Sequence, residues 1–189
     1  MTWTLDPHHT SVSFSAKHLG VATVRGHFNN VEAELDLDDP EDPTTGRGRV
    51  IIDAASIDTG DAQRDGHLRN ADFLDAEQFP QIVFELKAIR PDHDDVFTVT
   101  ADLTIRGVTR EVTLEYEHSG SVVDPMGNVK VGGSLTGTIK RSDWGLSWNV
   151  PLAGGRWLVS DKVKLEIDGE LAQVKEPALV GTAAGANQA

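Results

Sequence analysis

The densest group of side chains suited to chemistry is Arg64, Asp65 and His67. A carboxylate close to an imidazole can exchange protons, so one reading is acid–base catalysis. The other is structural. Arg64 and Asp65 then fix a loop against neighbouring turns and His67 lies on the surface, because ion-pair networks imitate active sites. No nucleophile or second acid stands at a spacing that strengthens the catalytic reading, and no catalytic residue is assigned. The histidines are His8, His9, His18, His27, His67, His93 and His118. A metal site needs three or four converging ligands. Adjacent residues on a strand point to opposite faces, so only one of His8 and His9 could serve a given site. No metal site is assigned, and His9 and His18 read as turn-fixing or mouth residues. His118 ends an apolar strand face and is either the polar lip of a cavity or a solvent-facing strand end. Trp144 and Trp148 sit in a Gly- and Ser-containing loop. Their rings, apolar with a polar N–H, suit either a pocket entrance or ordinary packing of the loop onto a sheet end. GTAAG at 181–185 follows no strand and is no phosphate loop.

The elements that must position these groups are almost all strands. SVSFSAK alternates, with Val12, Phe14 and Ala16 on one face. From residue 31, Val31, Ala33, Leu35 and Leu37 oppose Glu32, Glu34, Asp36 and Asp38, as in a half-solvated antiparallel strand. Further alternating runs are GRVIIDA, QIVFELKAI, VFTVTADLTI, REVTLEYEHS, VKVGGSLTGTIKR and VSDKVKLEIDGELAQ. RPDHDD reads as a turn, as does Arg106-Gly107. The convincing helical stretch is DAQRDGHLRNADFLDAEQFP. Asp61 can cap a helix, Asp65 and Arg69 are spaced for an exposed ion pair, a second start falls at Asp72, and Pro80 ends the segment. Its apolar residues Leu68, Phe73, Leu74 and Phe79 would cover the open end of a barrel.

About eight alternating strands with one helical excursion, confined mainly to 61–79, predict an all-β, eight-stranded antiparallel barrel with a short helical insertion. Such a barrel is either just filled by side chains or holds one small ligand. The inward positions are almost entirely uncharged. Gly133, Gly137 and Gly169 also fall inward, either as bends or to admit a close neighbour. Residues 1–173 form the expected domain. The Ala-, Gly- and Pro-containing segment 174–189 has no periodic apolar face and is expected to be a flexible tail.

The chain has 189 residues, no cysteine, and 17 basic against 30 acidic side chains for a net charge of −13. That acidity repels nucleic acid and anionic lipid. No run approaches the ~20 apolar residues of a membrane helix. MTWTLDPHHT has neither a basic region nor an apolar run, so no signal peptide is expected and the location reads as cytoplasmic.

WTLDPHHTSVSFSAKHLG, RGHF, IDTGDAQRDGHLRNADFLDAEQFPQIVFE, LTIRGVTREV and RSDWGL, in this order, resemble the YceI-like family over residues 2 to 172. His9-Thr10 stands where relatives commonly have His-Ser. The resemblance implies a lipocalin-like barrel whose elongated apolar cavity binds a polyisoprenoid chain, such as an isoprenoid quinone, or another long fatty amphiphile. It implies a carrier, buffer or storage role with no cofactor beyond that ligand, and supplies no catalytic residue. On the inward register, the expected walls are Phe14, Phe28, Phe84, Leu103, Ile105, Tyr116, Leu135 and Leu165, with Phe73, Leu74, Trp144 and Trp148 near an end. An enzyme on the same lipid, using Arg64, Asp65 and His67 or the His8/His9 pair at the mouth, is the alternative. A packed barrel acting as an interaction surface is a weaker one. Oligomeric state, including a homodimer, stays open.

Overall fold

The computed structural model describes residues 1–174; of the tail expected at 174–189, all but Val174 lies outside the described residues. The strands in chain order are β1 (Thr2–Leu5), β2 (Ser11–His18), β3 (Ala22–Phe28), β4 (Val31–Asp36), β5 (Arg47–Asp53) and β6 (Ile57–Asp58). After helix α1 (Ala62–Arg69) come β7 (Gln81–His93), β8 (Val96–Ile105), β9 (Val108–Val123), β10 (Val129–Lys140), β11 (Pro151–Leu152), β12 (Arg156–Trp157) and β13 (Val159–Gln173). β11 and β12 form a separate small hairpin.

The large sheet closes on itself. Hydrogen-bonded neighbours run β1–β4–β5–β7–β8–β9–β10–β13, and β13 returns to β1. β13 pairs with β1 at one end and with β2 further along, so β1 and β2 share one seat in the barrel. β3 pairs with β2 and β6 while β4 pairs with β1 and β5, which gives two more interrupted strands. The result is a closed eight-stranded antiparallel barrel with one short helix, as the alternations predict. β8 and β13 coincide with the predicted runs to the residue. No helix among the described residues is long and apolar enough to cross a membrane.

Three local expectations are corrected. Helix ends at Arg69, and residues from 71 to 79 form successive turns rather than a second helix. Leu74 N donates to the Leu68 carbonyl and Ala76 N to the Arg69 carbonyl, so the chain folds back over α1 instead of continuing it. Arg90–His93 is strand, not turn; β7 stays paired with β8 through irregularities beside Ala88 and His93. β1 is an unanticipated strand. Its Trp3 is 2% exposed, donates Nε1–H to the Leu37 carbonyl at 3.0 Å, and centres a small core with Leu37 and Val131.

The main core lies at the opposite end. There Phe73, Leu74 and Ala76 from the turns and Trp144 and Leu146 from the β10–β13 connection pack onto Ala101, Leu103, Val112 and Leu114. The predicted turn at Arg106-Gly107 has φ of 50° and 72°, the twist that suits a tight hairpin. A Cβ on Gly107 would stand 2.8 Å from Phe79, so this glycine is also required for the plug to seat.

Candidate functional site: an apolar axial cavity

Alternation on a closed sheet sends every second side chain to the barrel axis, and here those side chains leave space. Two adjacent compartments of about 200 and 250 Å³ lie end to end and share Val12, Val50, Phe84, Leu135 and Ile167 as walls. The larger faces the helical plug. Of the predicted wall residues, Phe14, Phe28, Phe73, Leu74, Phe84, Leu103, Ile105, Leu135 and Leu165 border it. The smaller compartment faces Trp3 and the 38–46 loop; Phe84, Leu135 and Tyr116 border it. Leu5, Leu37, Ile139, Val163 and Gly169 were absent from the predicted set yet line the cavity. Val163 and Gly169 were on the inward register of β13, so the signal existed.

The two tryptophans separate. Trp144 lies outside both linings, 2% exposed, with Nε1–H donating to the Leu103 carbonyl at 2.9 Å. It packs the barrel end and is not an entrance residue. Trp148 is half-buried and stacks edge-on with His67 at 4.6 Å and obliquely on Phe73 at 5.3 Å. It therefore belongs to the rim of the plug.

The glycines also separate. A Cβ on Gly137 would meet Leu114 at 2.2 Å, and one on Gly133 would meet Glu117 O at 2.5 Å. Both are close approaches between neighbouring strands, and their inward space is already filled. A Cβ on Gly169 meets nothing within 4 Å, so this glycine holds part of the cavity open.

Arg64, Asp65 and His67 do not converge on the cavity. Asp65 is 6% exposed and accepts from Thr59 N at 2.9 Å and from the Thr59 hydroxyl at 2.5 Å. Arg64 donates to the same hydroxyl and to the Thr59 carbonyl. Asp65 therefore does not pair with Arg69, which donates instead to the Ala55 and Ile57 carbonyls. His67 meets Asp72 at 2.9 Å. This is the loop-fixing arrangement. Asp61 caps α1 as expected, accepting from Gln63 N and Arg64 N.

A third buried polar group, Arg141, closes the plug. Its guanidinium donates to the carbonyls of Ser160, Leu146 and Trp148 and lies 6.0 Å above the Phe73 ring. Burial lowers its pKa from the usual arginine value.

His8 and His9 are exposed. His9 Nδ1 lies 3.1 Å from Asp6 and 3.6 Å from Glu170, and these three residues could in geometry hold a metal ion. Lys130 already fills that role. Its ammonium reaches Asp6 at 2.9 Å and Glu170 at 2.5 Å. This ammonium, then His9, hold the Asp6 carboxyl well below the usual range, and the two carboxylates raise the Lys130 pKa. The triad ties β1's exit to β10 and β13.

His118 is not solvent-facing. It is 8% exposed on the inward face of β9 and lines the smaller compartment. Tyr116 Oη stands 3.1 Å from its Nδ1 and 3.3 Å from the Gly132 carbonyl. Burial pushes the Tyr116 hydroxyl up to about 12.

Comparison with known proteins gives one consistent result. Residues 3–171 match the model of the YceI-like domain. A UPF0312 protein of Yersinia pestis (strain Pestoides F) is 35% identical over 167 residues, covering 88% of this chain and 83% of that protein. The crystal structure of Campylobacter jejuni YCEI protein superimposes with a TM-score of 0.74 at 31% identity, covering 84% of this chain and 90% of that one. A polyisoprenoid binding domain from Saccharophagus degradans, implicated in plant cell wall breakdown, shares the fold with a TM-score of 0.65 at 16% identity, covering 91% and 98%. By sequence and by fold, the chain belongs to the YceI-like domain family.

Proposed function

We propose that this barrel binds one long apolar or amphiphilic molecule, of the polyisoprenoid or isoprenoid-quinone type, along its axis and acts as its carrier, buffer or store. The observation that carries this reading is the pair of adjoining compartments with shared apolar walls. Each buried CH₂ contributes about 0.8 kcal/mol, so a few isoprene units offset an association cost of ~4–15 kcal/mol. Apolar walls make few distinctions between chains, so discrimination falls to the few polar groups that reach the cavity. The likeness in fold to a polyisoprenoid binding domain agrees with the reading.

The test is native extraction of the purified full chain and mass spectrometry of what co-purifies, for the wild type and for Gly169→Leu. Since space is open beyond Gly169, the leucine should fold and fill the smaller compartment. The expected result is an isoprenoid-class lipid with the wild type and at least about tenfold less with the variant, matching the ~1.4 kcal/mol that separates decades of affinity. Equal loading of a folded Gly169→Leu protein would place the ligand elsewhere. Gly137→Leu is the wrong probe, because Leu114 occupies the space its side chain needs.

A further inference from the structure

His118 Nε2 is buried and has no hydrogen-bond partner among the described residues. An unpaired buried polar atom is costly, because its lost hydration is not repaid. It sits in a compartment whose other walls are nearly all apolar, including Leu5, Leu37, Pro43, Val99 and Val131. Elsewhere the buried polar side chains are satisfied: Asp65 by Thr59, and Arg141 by three carbonyls.

The ring that carries this orphan is also held in place. A neutral imidazole carries one N–H and one lone pair. Tyr116 engages Nδ1, and the backbone N–H of His118 donates to the Asp95 carbonyl at 2.8 Å. The ring is thereby held with Nε2 free, as a donor if the tyrosine hydroxyl gives its proton to Nδ1. It is an acceptor if that proton goes to the Gly132 carbonyl instead. A hydroxyl satisfies either form.

The nearby charges are already committed. Lys130 is held by Asp6 and Glu170, Arg47 by Asp38, and Arg49 by Glu34. An anionic head group would find no free cation among them. The partner for Nε2 is therefore a neutral oxygen.

Resting on the cavity-binding reading above, we propose that His118 Nε2, positioned by Tyr116, is the hydrogen-bond anchor for a neutral oxygen head group, a hydroxyl in the first instance, swallowed into the smaller compartment. The ligand then lies with its head beside Tyr116 and His118 and its tail toward the helical plug. The polar end is inside the barrel, not at its rim.

The experiment uses the full chain, delipidated, and two probes: geranylgeraniol and the hydrocarbon obtained by replacing its hydroxyl with hydrogen. The wild type should bind the alcohol about tenfold or more tightly than the hydrocarbon, beyond their difference in solubility. In His118→Phe, which keeps a planar ring, that preference should vanish while hydrocarbon affinity is retained. A preference unchanged in His118→Phe, or absent in the wild type while both probes bind, overturns the anchor and leaves the cavity reading standing. Failure of both probes to bind the wild type overturns the cavity reading itself. Nitrogen NMR of the wild type with labelled histidine decides independently of the variant's folding. The His118 Nε2 resonance should move with the alcohol and stay with the hydrocarbon, and equal shifts overturn the proposal. Tyr116→Phe should weaken alcohol binding less than His118→Phe, because it loosens the ring without removing Nε2.

Discussion

The two ends of the barrel solve the same physical problem in opposite ways. At the plug end, buried polar groups are matched by protein. Asp65 and Arg64 converge on Thr59, Trp144 reaches the Leu103 carbonyl, and Arg141 gathers two carbonyls of the β10–β13 connection and one of β13. At the other end Trp3 and Lys130 are matched, but His118, which lines an apolar compartment, has its Nε2 without a partner among the described residues. A satisfied buried polar group is a structural tie, whereas an orphan beside a cavity is one that a ligand group can satisfy. The difference explains why the cluster of Arg64, Asp65 and His67, the richest in chemistry by composition, reads as scaffolding, while a single strand histidine reads as a site.

If the plug end is structural, its removal should cost stability most. Trp144→Ala deletes a fully buried indole and its hydrogen bond, and should destabilise by about 3–5 kcal/mol in urea denaturation. A loss under 1 kcal/mol would mean that the plug is not fastened to the barrel.

Asp65→Ala strips the acceptor from the Thr59 backbone N–H and hydroxyl, with an expected cost of about 1–3 kcal/mol. It should leave affinity for an isoprenoid ligand unchanged once folded. Loss of affinity at full stability would break the contrast, since it would bring a functional role to the plug end.

The smallest effect belongs to the Asp6–Lys130–Glu170 triad, which is partly solvated. The folded Asp6 carboxyl titrates below its unfolded value of about 4, so its contribution is full above that pH and falls as pH drops toward the folded pKa. Lys130 is raised above its unfolded value of about 10.4, so its contribution holds below that pH and fades as pH rises toward the folded pKa. Lys130→Met should flatten both limbs of the stability–pH curve. Unchanged limbs would show that the triad contributes nothing at either end.

Much of the architecture was legible in residue order, because period-2 alternation and turn chemistry are local. β8 and β13 coincide with their predicted runs, and Asp61 caps α1 as its position before the helix suggests. The apolar face of β9 from Val112 to His118 could also be read. β1 could not, because four residues carry little periodicity and gain their structure from distant β4 and β13. The Asp65–Arg69 spacing suggested a pair, but the partly buried Thr59 satisfies the carboxylate instead.

By itself, then, the sequence determined an acidic all-β chain with an apolar inward face, a capped helix and an apolar strand face that reaches His118, although β9 itself runs on to Val123. Tertiary structure alone decided which inward glycine keeps space open, since Gly133, Gly137 and Gly169 share a face and differ only in what the neighbouring strand places over them. It also decided that His118 is buried. Leu37 and Pro43, some seventy or more residues away in the chain, line the same compartment. Alternation states which way a side chain points; only closure of the sheet states what it meets.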